Sequence, residues 1–403
     1  MLITYCMRGK VTRKYNGQIA MLKYFFEHDA IGSSLSLLII SLSFCFFICA
    51  CTHKREYFPN VEMQKVCFVR FDSALLSIKT EINDTVVSKD SEHTLPQDII
   101  QIADKGREQV IRCGDSSDIR QDIRRLYADY PIFMPTFVED ILGFAGEDTI
   151  AFENAMASFL NDTVYGFMQT NSLEQEVFAD VTDIERELSE AFARISWLYP
   201  EWEKPTLYLF VSGFQSAIYF TEDGLAIGAD MYLGKDYPYY NQVVYQYQMQ
   251  TMRKECIPVD VVSAWLFSHI PYTSTKNRLL DQMMYRGKVM YLLSCIFDRL
   301  PGYEVMGYTK EQWDWCVYHE RAIWHRMMDK RDLFRTEQRL ITSYLNDGPF
   351  TSEISQDSPG RLGTWMGWRI VESYMEHNDT VSLIGLMRQE DAQLILERSY
   401  YKP

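Results

Sequence analysis

Residues 37–50 read Leu-Leu-Ile-Ile-Ser-Leu-Ser-Phe-Cys-Phe-Phe-Ile-Cys-Ala without a charge, and the chain then turns polar at Cys51-Thr-His-Lys-Arg-Glu. No other feature limits the fold as much, because it decides which solvent the remaining residues meet. A helix that crosses a roughly 30 Å hydrocarbon layer needs about 20 apolar residues. Residues 30–51 are uncharged, but Gly32, Ser33, Ser34 and Ser36 dilute their first half. The dense part has the length of a signal-peptide core, about 7 to 15 residues. Its end is the more specific signal. Ile48, Cys49, Ala50 and Cys51 match a lipobox: an aliphatic residue at minus three, a small one at minus one, then a thiol able to form a diacylglyceryl thioether. Cys45 and Cys49 follow the bulky Phe44 and Ile48 and fit less well. Two or more acyl chains anchor stably where one, at about 0.8 kcal/mol per buried CH₂, is marginal. The reading is therefore a lipoprotein signal peptide over residues 1–50, lipidation of Cys51, a tether over 51–64 and one α+β domain over 65–403. Translation could start at Met1 or at Met21; from Met21, Lys23 supplies the positive charge before the apolar core.

The body left after such processing is acidic. The formal charge of the whole chain is -15. Residues 1–50 hold five Lys and Arg (Arg8, Lys10, Arg13, Lys14, Lys23) against Glu27 and Asp29, so the remainder carries about -18. Phosphate binding needs a positive face, which excludes nucleic acid as the expected partner. Five cysteines follow the anchor: Cys67, Cys113, Cys256, Cys295 and Cys316. They are scattered and contain no C-x-x-C pair, so they read as small buried hydrophobes with at most one disulfide rather than as a zinc ribbon. His319 and His325 look like a metal pair, but residues six apart are rotated by about 240° net on a helix. The working spacing of HExxH is four. No cofactor or metal is expected.

Alternating residues 65–72 predict an early strand, and the polar stretch 81–95 a loop. Ile119, Ile123, Tyr127 and Tyr130 recur at helical spacing until Pro131 ends the element. Thr182 and Glu185 form a capping-box pattern, followed by the stripe Ile184, Leu188, Phe192 and Ile195. Residues 206–211 are continuously apolar, as a central strand would be. Residues 217–220 and 225–227 flank Asp223-Gly224, a hairpin turn whose positions tolerate positive φ. Beyond Tyr240 the pattern is helical. The fold class is α+β, mainly helical with a small sheet and hairpin.

From "Ile227-Gly-Ala-Asp230-Met-Tyr232-Leu-Gly234-Lys-Asp-Tyr237" the chain resembles the GldB family of lipoproteins, associated with gliding motility in Bacteroidetes. The likeness reaches back to "Leu126-Tyr-Ala-Asp-Tyr130-Pro131-Ile-Phe133" and forward through "Met284-Tyr-Arg-Gly287-Lys288". It is densest in "Asn346-Asp347-Gly348-Pro349-Phe350" and "Ser358-Pro359-Gly360-Arg361-Leu-Gly363-Thr-Trp365-Met-Gly367-Trp368" and ends with "Ser399-Tyr-Tyr-Lys-Pro403". The resemblance implies a lipid-anchored, periplasm-facing protein of the cell membrane or outer membrane. Its implied role is a non-catalytic one in assembly or interaction, beside the gliding and type IX secretion machinery, with other envelope proteins as partners.

The order of hairpin, helix, second helix with a central Gly and Gly-rich aromatic helix is also similar to zincin-type metalloproteases. That likeness implies a degenerate metal site at Trp265, Leu266, His269 and Arg286. Only His269 keeps a ligand, and a guanidinium at Arg286 has no lone pair to give. His269 among apolar neighbours reads more readily as a core histidine with a hydrogen-bond partner than as a residual ligand. A divergent metal-dependent hydrolase is the first alternative. A carbohydrate-binding lipoprotein, prompted by Tyr237-Pro-Tyr-Tyr240, is the second. Gly363 and Gly367 share a helix face and predict a close helix contact, since each costs about 1 kcal/mol relative to Ala otherwise. Three Asp-Thr-Val triplets resemble the O-glycosylation acceptor that Bacteroidetes use on exported proteins, and the resemblance implies Thr85, Thr163 and Thr380 as candidate acceptors.

Overall fold

The computed structural model describes residues 57–58, 61–78, 80–83, 110–113, 116–143, 156, 159 and 176–403. Cys51, Thr85 and Thr163 lie outside these residues. Strand β1 (Phe68–Arg70) leads into helix α1 (Phe71–Leu76). Strands β2 (Thr80–Asn83) and β3 (Val110–Cys113) pair antiparallel. Helices α2 (Ser116–Asp129) and α3 (Thr182–Leu198) precede strands β4 (Thr206–Phe210), β5 (Ile218–Phe220) and β6 (Gly224–Gly228). The larger sheet has the order β1-β4-β6-β5. β4 runs parallel to β1 and β6, and β5 closes the edge antiparallel to β6. Leu207 to Phe210 are all buried, as a strand with neighbours on both sides requires.

The helical half contains α4 (Ile257–His269), α5 (Leu279–Ile296), α6 (Lys310–Asp329), α7 (Gln338–Leu345), α8 (Leu362–His377), α9 (Leu383–Arg388) and α10 (Ala392–Ser399). The fold is therefore α+β with helices dominant and one small mixed sheet.

Several local readings change. The strand expected over 65–72 pairs only at Phe68–Arg70, because Phe71 turns inward to meet Phe133 at 4.8 Å and Phe137 at 4.9 Å. The loop expected over 81–95 begins as a strand, β2, held by β3. Helix α3 starts at Thr182, yet Thr182 does not cap it: the Thr182 N–H donates to Asp180 Oδ1 at 2.9 Å. Glu185 instead accepts the Phe68 N–H at 2.9 Å, and Ser189 Oγ accepts the Val66 N–H at 2.8 Å. A donor of the β1 segment has claimed Glu185, the side chain that local spacing assigned to a cap. The stripe Ile184, Leu188, Phe192 and Ile195 is buried as expected.

Gly224 is required for a different reason than turn conformation. It lies inside β6, opposite Thr206, and a Cβ there would sit 2.0 Å from the Thr206 carbonyl oxygen. The turn itself is closed by Thr221 N–H on Gly224 O at 2.9 Å and by Thr221 Oγ1 on Asp223 at 3.1 Å.

Of the expected glycine pair, Gly363 packs against Tyr344 and Leu345 of α7 and only Gly367 makes the crossing of α5 and α8. A Cβ on Gly367 would meet Met283 O at 2.1 Å, and one on Gly287 would meet the Gly367 carbonyl carbon at 2.4 Å. Two backbones touch there, with Trp365 and Trp368 buried beside them. The C terminus is tied to the same helix. Tyr401 OH donates to Glu320 Oε1 at 2.7 Å, and Arg369 of α8 bonds the same oxygen at 3.0 Å.

Candidate functional site

The segment after β6 is organised by a buried carboxylate. Asp230 accepts from Ser212 N–H (2.7 Å), Ser212 Oγ (3.0 Å) and Phe214 N–H (2.5 Å). These bonds fix a connection between β4 and β5 in which Gly213 and Phe214 both have left-handed φ, 68° and 61°. Phe214 is a costly occupant of that region, of order 1–3 kcal/mol. Tyr240 OH donates to Asp230 O at 2.8 Å and accepts Leu233 N–H at 2.9 Å. Tyr237 and Tyr240 are buried by this packing, so their ring faces are not open for a sugar to stack upon.

Two residues further, Tyr232 donates its hydroxyl to Asp260 Oδ2 at 3.0 Å. Asp260 stands in the first turn of α4, half-buried. Burial pushes its carboxyl up to about 6, against the pull of the Tyr232 hydroxyl and of Arg361 and Arg253. Arg253 in turn bonds Glu304. An open groove of about 630 Å³ runs beside it, lined by Gly234, Lys235, Asp236, Pro238, Gln250 and Arg253 among others.

Arg361 belongs to the same cluster. It precedes α8 with φ 58°, a left-handed backbone shared with Phe214, Asn277, Arg331 and Tyr400 that costs a non-glycine residue of order 1–3 kcal/mol. Its guanidinium lies over the Tyr308 ring at 5.7 Å, bonds Met306 O, and pairs with Asp347 Oδ1 at 2.8 Å. The loop that carries it is braced by Thr351, whose N–H donates to Ser358 Oγ (3.1 Å) and whose hydroxyl donates to Pro359 O (2.9 Å). Gly360 permits the close pass, since a Cβ there would be 2.5 Å from Gly348 O.

Arg286 completes the set. From α5 it donates to Leu345 O at 2.6 Å and to Asn346 Oδ1 at 3.2 Å. Its pKa is lowered by burial and by the neighbouring Arg361. Two guanidiniums therefore grip three consecutive residues, Leu345, Asn346 and Asp347.

The positions singled out in the sequence do not share one set of contacts. Leu266 is in the core. His269 lies nine residues from Asp260, about 180° around the helix. It packs its ring against Trp265 at 4.0 Å and Trp202 at 4.6 Å, and Trp202 stacks on Tyr199 at 4.0 Å. His269 Nδ1 is 3.0 Å from Trp265 O. Trp265 meets Phe192 of α3 at 6.3 Å. Arg286 faces the other cluster. Sequence reading missed Asp260, Tyr232 and the pairing of Arg361 with Asp347. One clue was present: Asp260 is the only charged residue in the run Ile-Pro-Val-Asp-Val-Val-Ser-Ala-Trp-Leu-Phe.

Other candidates resolve into packing. His319 stacks on Trp315 at 4.1 Å, while His325 is exposed. Cys256 and Cys316 are buried thiols, and Cys67 is exposed; burial pushes Cys256 up to about 12. Thr380 sits in an exposed turn. Among the described residues no helix is long and apolar enough to cross a membrane.

A family model described as gliding motility protein GldB matches residues 90–403. No curated protein matches the chain, and no solved structure does.

Proposed function

The chain belongs to the GldB family of gliding motility lipoproteins, and from that premise we propose that it works by assembly or interaction rather than by turnover. In this reading Cys51 carries the acyl chains and the acidic body faces the periplasm. The partners are other envelope proteins of the gliding and type IX secretion machinery. The match over residues 90–403 and the lipobox before it support the anchored part.

One observation carries the non-catalytic part. Arg286, at the position that the zincin likeness gives to a carboxylate ligand, spends its donors on Leu345 O and Asn346. Zinc hydrolysis needs three protein ligands and a polarised water, and a permanent cation opposes both. Among the described residues no group of three or more His, Cys, Asp and Glu is arranged to hold a metal ion. The kinship with zincins is part of the proposal. A mixed sheet with an antiparallel edge, then α4, then α5 with Arg286-Gly287, supports a frame of that type adapted to holding a partner.

The test is a deletion strain complemented with Cys51→Ala. The variant should leave the membrane fraction, lose labelling by a fatty-acid analogue and fail to restore motility or surface secretion. Unchanged labelling would refute the anchor. Stoichiometric zinc in purified wild-type protein, with peptide cleavage that a chelator stops, would refute the non-catalytic role.

A further inference from the structure

Asp347 is an odd residue to find in the Arg361 pair. Its side chain is 66% exposed, whereas that of Arg361 is 27% exposed. The arginine is thus built into the fold and the carboxylate is a visitor at its surface. Everything around Arg361 holds it in place: the left-handed backbone, the bond to Met306 O, the ring of Tyr308 and the braced Thr351–Ser358 loop. Gly307 adds to this, since a Cβ there would touch both the Arg361 guanidinium and Thr251 Cγ2 at 3.2 Å. Nothing comparable holds Asp347. Its neighbours are fixed by Arg286, and its own carboxylate, 66% exposed, contributes an ion pair that solvent screening leaves weak. Strain retained for so small a return points to a ligand.

We propose that Arg361 is a receptor for a carboxylate brought by a partner polypeptide, and that Asp347 fills the receptor when no partner is bound. The proposal rests on reading the chain as an interaction protein and names the chemistry of what it holds. A guanidinium offers parallel donors that match a carboxylate. Gln250 and Arg253 line the groove, and Thr251 between them and the Arg361 guanidinium each lie 3.2 Å from the place a Cβ on Gly307 would take, so the groove opens near this point and gives the rest of the partner chain room. The carboxylate is either a chain terminus or an acidic side chain.

The full-length, detergent-solubilised lipoprotein is passed over three immobilised tetrapeptide libraries: free C termini, amidated C termini, and amidated C termini with one Asp. Wild-type protein should be retained at least fivefold better on one acidic library than on the neutral one, and which one it is identifies the source. Asp347→Asn removes the stand-in at an exposed position and should raise that retention about fivefold. Arg361→Gln should abolish it. Equal retention on all three libraries, or no gain in Asp347→Asn, overturns the proposal without appeal to a variant that disturbs folding. Crosslinking in cells separates this failure from that of the underlying reading. A partner still captured by Arg361→Gln sinks only the carboxylate receptor, and no partner captured by wild type sinks both.

Discussion

Arg286 and Gly287 are adjacent in the chain and serve two regions with opposite demands. At Gly287 and Gly367 two helix backbones touch, and no atom can be added. At Arg286 the chain enters a cluster with more charge than folding needs: Arg361 strained, Asp347 exposed, Asp260 held half-buried with its carboxyl disfavoured. The crossing is closed to any added atom, although the buried indole N–H groups of Trp365 and Trp368 beside it find no hydrogen-bond partner among the described residues; the cluster is open and charged. Breaches of local consistency concentrate where function is carried. In the proposed reading the working surface lies on the Asp260 face of α4, while Trp265 and His269 pack against Phe192 and Trp202.

Gly367→Ala should show the largest effect. Its methyl would meet Met283 backbone, which cannot swing aside as a side chain can. A loss of about 3 kcal/mol is expected, read from urea unfolding; a loss under about 0.5 kcal/mol would mean that the helices are not in contact. Asp260→Asn should act with the opposite sign. The folded pKa near 6 lies above the ordinary 3.8, so the folded state binds this proton more tightly than the unfolded one. The stability that it contributes is complete below about pH 4 and lost as pH rises through 6. The neutral variant should therefore gain on the order of 2 kcal/mol at pH 8 and little at pH 4. A variant that is destabilised equally at both would place Asp260 with the packing residues. His269→Ala comes next, with a loss of about 1 kcal/mol from the ring stack and no change in carboxylate retention. Thr380→Ala, in its exposed turn, should change stability by less than about 0.5 kcal/mol. If Thr380 carries a sugar, intact mass from the native host will fall by one glycan in the variant.

The division also explains what the sequence made legible. The α3 stripe, the central strand β4 and the glycine pair could be read because each depends on spacing within one element. Glu185 misled for the same reason: its partner is Phe68 N–H, 117 positions away. Arg361 was visible as part of a Gly-rich motif, but its meaning comes from Asp347 on one segment and Met306 and Tyr308 on another. Asp260 is a lone charge in an apolar helix, a clue the sequence reading passed over, and only the fold shows Tyr232 reaching it. His269 drew notice through an apparent motif whose residues face α3 and Trp202 rather than Arg286.

Which face of α4 works in the cell can be settled by one complementation. Arg361→Gln and His269→Ala are expressed in the deletion strain at membrane levels matched by immunoblot, and surface secretion or colony spreading is scored. His269→Ala should restore the phenotype and Arg361→Gln should not. Restoration by Arg361→Gln with failure of His269→Ala would contradict the assignment of function to the Arg361 cluster.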